Sequence, residues 1–338
     1  MRSLGKVGFV FSGGGLAGCY SIGFIKALAA KGIKPDYVQG VSVGALTSAK
    51  LMSNGWNIEE LEKLWLKIQE LGPSSIFNKW DISKNVPLFR PSIFNEQNIF
   101  NLIIKNIDCR AIVESPIKYH IIANNRNKKK LVAFSNHDAP TKENPDRIKK
   151  ILQAATGFYG FLPSVLIDGD WHCDAMGFSL NEAIKARCDT IFILMNDQFG
   201  GTQKNYGEMS FLLQFISGFH DLATRRNEEH IKYARSRGYD IIENNPSGRF
   251  DDVNPLHKKF RRKIKHIVDS AVEAVTANSD IEDIFSSHQI VLLTPPNPIP
   301  TMHLLGFKGT NSTISYPGDI SLGMEQCSNL PDEFWEKL

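Results

Sequence analysis

The sequence predicts an α/β protein whose central sheet is mainly parallel, and three observations carry this prediction. Strand-like and helix-like segments alternate over about the first fifty residues, as in parallel sheets with crossover helices. A glycine cluster follows the first strand, and a G-x-S-x-G turn follows the second. Both strand-to-helix turns are therefore expected at the same end of the sheet.

The first two strand-helix units are read from apolar runs and helical spacing. VGFVF, Val7 to Phe11, is typical of a buried strand, and the glycines of Gly13 to Gly18 follow it. Three apolar residues then recur at helical spacing: Ile22, Ile25 and Leu28. A second strand, YVQG, ends beside Ser42, and Val43 to Met52 continues as a helix.

The middle of the chain is less regular. Helical spacing runs from Ile58 to Leu71 and stops at Gly72-Pro73. An apolar stretch then either caps a pocket or forms core under a long loop, and its members are Phe77, Trp80, Leu88, Phe89, Phe94 and Phe100. Paired strands are predicted around the basic turn Asn125 to Lys130, and Thr190 to Asn196 is a further buried strand.

The C-terminal part is predicted to add helices and strands to the same domain. A helical region is expected over much of Glu208 to Arg237. The segment HKKFRRKIKHIVDSAVEAV, residues 257–275, reads as an amphipathic helix whose basic side is either solvated or in contact with an anionic membrane. We expect one α/β domain over residues 1–338, with core motifs in 7–196 and a helical and strand extension in 197–338.

Composition excludes several classes of protein. The 338 residues carry 39 basic and 36 acidic side chains, a net charge of +3 that is too balanced to indicate a nucleic-acid partner. Five scattered cysteines without a C-x-x-C pair indicate neither a zinc site nor a disulfide framework, so a reducing compartment is expected. The apolar run at the N-terminus is too short for a signal peptide, and no run of 18 apolar residues predicts a spanning helix. These features predict a cytoplasmic protein.

The glycine loop has two possible interpretations. Gly13 to Gly18 satisfy G-x-G-x-x-G after a strand, so a dinucleotide-binding loop is one hypothesis. That site needs an acidic residue at the end of the second strand, where Gly40, Val41 and Ser42 stand instead. Loop amides at a helix N-terminus can alternatively stabilise an oxyanion.

Ser42 is a candidate nucleophile because it is the serine of a G-x-S-x-G pentamer between a strand and a helix. The flanking glycines remove side chains that would obstruct such a tight turn. A serine nucleophile needs a base, and the late histidines His257, His266, His288 and His303 have no convincing setting for that role. His, Cys, Asp and Glu do not cluster with ligand spacing, so no metal and no cofactor are expected.

Three ordered motifs resemble the patatin-like phospholipases: FSGGGLAG, GVSVGAL and ATGFYGFLPSVLIDGDWHCDAMGFSLNEAI. The resemblance covers most of Val7 to Asn196. It implies a three-layer α/β/α patatin-like fold and a Ser-Asp dyad that hydrolyses acyl esters of lipids. Ser42 would be the nucleophile, and the amides of Gly13, Gly14 and Gly15 would form the oxyanion hole.

The resemblance favours Asp174 as the base, because it follows a proline, an apolar strand and an Asp-Gly turn in the family's order. Asp168 is the alternative base, although Asp-Gly is common in turns for structural reasons. Asp170 matches no part of the pattern. Two departures stand out: Ala17 replaces the usual Arg or Lys of the glycine loop, and Ala175 replaces the usual glycine after the base.

The sequence therefore predicts a lipid acyl hydrolase of the phospholipase A or lysophospholipase type. Its expected partner is a phospholipid or another acyl-ester lipid, with peripheral contact to membranes and none to nucleic acid. Two alternatives stay open: a nucleotide-binding protein that uses the glycine loop, and a catalytically inactive lipid-binding module.

Overall fold

The computed structural model describes residues 4–71, 75, 78–88, 90, 92–95, 97–196, 223, 226–236, 238–244, 289–295, 324–325 and 327–338. The predicted basic helix over residues 257–275 lies outside the described residues. So do most of the helical region predicted from Glu208 to Arg237 and the four late histidines.

Nine strands of the described chain form one sheet. They are β1 (Val7–Phe11), β2 (Tyr37–Val41), β3 (Lys118–Asn125), β4 (Lys130–Ser135), β5 (Val165–Ile167), β6 (Asp170–Asp174), β7 (Thr190–Leu194), β8 (Asp240–Glu243) and β9 (Gln289–Leu293). Their order is β5-β6-β3-β2-β1-β7-β9-β8, and β4 also pairs with β3. The pairs from β3 through β8 along this path are parallel, whereas β4, β5 and β6 pair antiparallel.

Helices cover both faces of this sheet. Their bounds are α1 (Cys19–Ala30), α2 (Val43–Ser53), α3 (Ile58–Leu71), α4 (Lys79–Asn85), α5 (Gln97–Leu102), α6 (Cys109–Glu114), α7 (Ala139–Glu143), α8 (Arg147–Thr156), α9 (Asn181–Lys185), α10 (residues 226–236) and α11 (Asp332–Glu336). Short 3₁₀ turns occupy Gly15–Gly18 and Ile104–Asn106.

The alternation of side chains along the strands separates two apolar layers. Phe9 of β1 belongs to a cluster with residues of α1, α2, α3 and α8. Val10, the next residue, points into a second cluster that includes Ile184 of α9 and Ile231 of α10. Successive residues of a strand face opposite sides, so the sheet lies between two helical layers. The predicted three-layer α/β/α fold with a mainly parallel sheet is confirmed.

The apolar stretch after α3 divides between core and surface. Phe94 is buried and its ring stacks against Phe161, with centroids 6.2 Å apart. Trp80 and Leu88 are instead 73% and 64% exposed. Phe77 and Phe89 lie outside the described residues. In the part of the chain that the structure describes, no helix combines the length and apolar character needed to cross a bilayer.

The geometry of β3 determines where two site residues meet. β4 pairs with one edge of β3 from His120 onward, so β2 and β6 must share the other edge, end to end. Ile122 of β3 lies opposite Val41, the last residue of β2. Ala123, the next residue, lies opposite Asp174, the last residue of β6. The residue after β2 and the end of β6 are therefore neighbours in space.

Candidate active site

Ser42 occupies a strained turn between β2 and α2. Its backbone angles are φ 55° and ψ −129°, a region that side-chain-bearing residues rarely adopt. A Cβ on Gly44 would lie 2.5 Å from the Ser12 carbonyl oxygen, and one on Gly40 would lie 2.6 Å from the Ala45 Cα. Both flanking glycines of the pentamer are therefore sterically required. Ser42 itself remains partly exposed between buried neighbours.

Asp174 lies against Ser42 at the end of β6. The Ser42 hydroxyl donates a side-chain hydrogen bond to the Asp174 carboxylate. The backbone N–H of Met176 donates to Oδ1 of the same carboxylate at 2.7 Å. Asp174 is 4% exposed. The structure thus pairs a partly exposed hydroxyl with a buried carboxylate that a backbone amide holds in place.

The buried setting of Asp174 changes its proton affinity. Burial raises the pKa of Asp174, while the hydrogen bonds from Ser42 and Met176 and the charge of Arg226 offset part of this rise. The resulting pKa is about 6. The Arg226 side chain donates Nη1–H to the carbonyl oxygen of Ala175, next to Asp174. Its Nε and Nη2 are buried and have no hydrogen-bond partner among the described residues. A carboxylate with a pKa near 6 is suited to accept and return a proton at neutral pH.

The glycine loop packs directly onto this pair. A Cβ on Gly13 would lie 3.2 Å from the Ser42 Cβ, a tight contact that glycine avoids. The Gly13 N–H donates to the Gly177 carbonyl oxygen at 2.8 Å. This hydrogen bond already uses one of the three amides predicted for the oxyanion hole. Gly14 and Gly15 have φ values of 150° and 57°, and neither N–H has a partner among the described residues. These two amides remain as donors.

Asn196, at the end of β7, holds the glycine loop in place. Its backbone N–H donates to the Ser12 hydroxyl at 2.8 Å, and its Nδ2 donates to the Ser12 carbonyl oxygen at 2.7 Å. Its Oδ1 accepts a hydrogen bond from the Ser21 hydroxyl at 2.6 Å. A Cβ on Gly14 would lie 2.7 Å from the Asn196 Cβ, so this packing also excludes a side chain at Gly14.

Asp168, the alternative base, lies elsewhere. It sits in the turn between β5 and β6, where its side chain is 63% exposed. Arg147 holds both of its oxygens, with contacts of 2.7 and 2.5 Å, and this hydrogen bonding lowers the pKa of Asp168. Asp170, at the start of β6, pairs with Lys128 at 2.7 Å. Of the three aspartates in this segment, only Asp174 is near Ser42.

The two departures from the family pattern are accommodated structurally. Ala17 has no exposed surface and packs in the apolar core, so its side chain contributes nothing to the site. Ala175 packs with Val41 and Ile122 in a small apolar cluster and does not have a positive φ. Met176 and Gly177, with φ values of 57° and 68°, make the turn after Asp174 instead.

Residues of α10 support the site from outside the predicted motifs. Arg226 contacts the Ala175 carbonyl, and the Asn227 Oδ1 accepts the Phe178 N–H at 2.9 Å. The His230 ring lies 5.9 Å from the ring of Phe178. No local pattern marks these residues, because they lie about fifty positions after Asp174 in a helix with no recognisable motif.

The arrangement has the parts needed for acyl transfer: a hydroxyl hydrogen-bonded to a carboxylate, the N-terminus of α2, and two amides that have no partner in the described part of the chain. Within the described ranges, no group of three or more His, Cys, Asp or Glu side chains has the arrangement of a metal site.

Comparison with known proteins gives the family. The model of the patatin-like phospholipases matches residues 9–180. Solved structures with a similar chain course include VipD from Legionella pneumophila, with 11% identity, 99% of this chain and 67% of that chain covered, and a TM-score of 0.40. Human GIVD cytosolic phospholipase A2, in complex with methyl gamma-linolenyl fluorophosphonate, is 13% identical to this chain, with a TM-score of 0.42. The match covers 96% of this chain and 57% of that chain.

None of the curated proteins compared with the chain matches it. The family model, in contrast, covers just over half of the sequence and includes the glycine loop, Ser42 and Asp174. The chain belongs to the patatin-like phospholipases, a family of lipid acyl hydrolases.

Proposed function

We propose that the protein hydrolyses acyl esters of lipids through Ser42 and Asp174, as a phospholipase A or a lysophospholipase. The hydrogen bond between the Ser42 hydroxyl and the buried Asp174 carboxylate is the observation that carries the proposal. Ser42 Oγ attacks the ester carbonyl carbon while its proton passes to Asp174. The carbon–oxygen bond of the ester then breaks, and Asp174 returns the proton to the departing alcohol.

Water completes the cycle. Asp174 accepts a proton from a water molecule that attacks the acyl-enzyme, and the proton returns to Ser42 as the fatty acid leaves. In both halves a negative charge develops on the carbonyl oxygen. The amides of Gly14 and Gly15 are the proposed donors to this oxygen, because the Gly13 N–H is already bonded to Gly177.

The substrate class is tested by product analysis. We expect the protein to release free fatty acid from phosphatidylcholine or lysophosphatidylcholine, measured by mass spectrometry with different acyl chains at the two glycerol positions. The chain that is released identifies the acyl position. Folded protein that binds these lipids but releases no fatty acid, and also leaves a soluble p-nitrophenyl ester intact, would favour an inactive lipid-binding module instead.

The pKa of Asp174 predicts an acidic limb in the pH profile. Since the base must be ionised, kcat/KM is expected to fall as the pH drops through about 6. Arg226→Met removes the charge that favours the ionised form, so it is expected to move this limb upward by about one pH unit. Arg226→Lys keeps the charge and is expected to keep the limb near its wild-type position.

The control for this experiment lies on the same helix. Arg235 of α10 is exposed and pairs with Glu243 at 3.2 Å, so Arg235→Gln also removes one cation from α10. We expect its pH profile to match that of the wild type. An acidic limb that stays in place in Arg226→Met would show that Arg226 has no electrostatic influence on Asp174.

A further inference from the structure

One exposed corner of the sheet combines apolar and basic side chains. Leu166 of β5 and Trp171 of β6 are directly opposite each other across the strand pair, and they are 43% and 48% exposed. Tyr159 is 41% exposed, and the Arg126 guanidinium lies over its ring at 4.6 Å. The Arg126 N–H donates to the Trp171 carbonyl oxygen at 2.8 Å. These contacts make one continuous surface, called the corner surface below.

The turn between β3 and β4 adds positive charge to the corner surface. Arg126, Lys128, Lys129 and Lys130 are all exposed. Of the two acidic residues on the neighbouring hairpin, Asp168 pairs with Arg147 and Asp170 pairs with Lys128. Among the described residues, Arg126, Lys129 and Lys130 have no acidic partner. Since the whole chain carries a net charge of only +3, this excess of three cations is a local concentration.

The corner surface lies at the same end of the sheet as the candidate site. β3 pairs with Asp174 at Ala123, and its continuation at Arg126 bonds to Trp171. Three residues of strand correspond to about 10 Å, so Trp171 projects beyond Asp174 in the direction of the carboxyl ends of β2 and β3. Trp171 and Asp174 are three residues apart on β6, so their side chains face opposite sides of the sheet. The corner surface and the candidate site therefore share one end of the sheet, but not one face.

We infer that the corner surface docks the protein onto an anionic lipid bilayer. Trp and Leu side chains enter the boundary between headgroups and acyl chains, while Lys and Arg contact anionic headgroups. This mixture fits a bilayer better than a nucleic acid. Leu166 and Trp171 can be buried at the boundary between headgroups and acyl chains, whereas the charged backbone of a duplex offers an exposed leucine no apolar contact. The inference that the docked membrane supplies the substrate rests on the proposed function. The docking itself does not depend on that function.

The experiment measures vesicle binding by Ser42→Ala protein, which does not consume the vesicles. The fraction of protein that sediments with vesicles of phosphatidylcholine containing about three parts in ten of phosphatidylserine is measured. It is compared with the fraction that sediments with vesicles of phosphatidylcholine alone. We expect clear preference for the anionic vesicles and weaker binding in high salt. Lys129→Gln with Lys130→Gln is expected to weaken binding roughly 30-fold, from about fivefold for each cation.

The matched control removes two exposed cations from the opposite end of the sheet. Lys118 begins β3 and Lys34 precedes β2, so Lys34→Gln with Lys118→Gln changes the net charge equally. Its binding is expected to stay within about twofold. Trp171→Ser is expected to weaken binding at least about tenfold, while Trp171→Phe keeps most of it.

Three outcomes would overturn the docking surface: no binding to anionic vesicles, an equal loss in the control pair, or binding to duplex DNA without binding to vesicles. Hydrolysis of a soluble p-nitrophenyl ester separates this proposal from the proposed function. If the docking variants, with Ser42 present, cleave that ester at the wild-type rate but fail on vesicles, both proposals stand. If the wild type binds vesicles but cleaves no ester, only the proposed function fails.

Discussion

Replacing Ser42 with alanine is expected to lower the rate of ester hydrolysis by a factor on the order of 10⁴ or more. Alanine removes the oxygen that would carry the acyl group, so no acyl-enzyme forms. The amides of Gly14 and Gly15 remain in place and support only residual catalysis. Release of p-nitrophenol from a soluble ester measures the effect without involving a membrane.

The control for Ser42→Ala lies at the other end of the same helix. Ser53 ends α2, and its hydroxyl donates to the Lys50 carbonyl oxygen at 2.9 Å, far from the site. Ser53→Ala is expected to retain the wild-type rate. A folded Ser42→Ala variant with more than about one-tenth of that rate would remove Ser42 from the mechanism.

Replacing Asp174 with asparagine is expected to lower the rate by a factor on the order of 10⁴. Asparagine has nearly the same shape but does not accept the Ser42 proton. Asp168→Asn breaks only the ion pair with Arg147 on the surface, and is expected to change the rate by no more than about twofold. The same ester assay compares the two variants, and an equal loss in both would contradict the assignment of Asp174 as the base.

Stability distinguishes lost chemistry from lost folding in Asp174→Asn. The folded protein raises the pKa of Asp174 from its ordinary value of 3.8 to about 6. Ionisation of this group therefore costs folding free energy that accumulates as the pH rises from about 4 to about 6 and stays constant above that. Asparagine avoids that cost. The variant is therefore expected to be more stable than the wild type at pH 7.5, by up to about 3 kcal/mol, and the difference is expected to vanish below about pH 4.

Local patterns were sufficient to predict the central layer of the fold. The buried strands β1, β2 and β7 are short apolar runs bounded by glycine or polar residues, and the β3–β4 hairpin is marked by its basic turn. The close packing at Gly40 and Gly44 explains why the G-x-S-x-G pentamer indicates this particular turn. In each case the residues that determine the structure are adjacent in sequence.

Features that depend on tertiary packing were not predicted. The sequence shows no sign that β6 would extend along the edge of β3 beyond β2, which is the arrangement that brings Asp174 to Ser42. The hydrogen bond that occupies the Gly13 amide depends on Gly177, over 160 positions away. Arg226 approaches Asp174 only because α10 packs on the loop after β6. Such contacts are set by the whole fold and leave no local pattern.

The measurement that most directly tests the central claim is covalent labelling by a fluorophosphonate, which reacts with activated serines by losing fluoride. Intact mass and peptide mapping are expected to show one adduct, on Ser42, that is lost in Ser42→Ala and Asp174→Asn but kept in Asp168→Asn. Folded wild-type protein that takes up no label, or that carries it on another serine, would contradict the account.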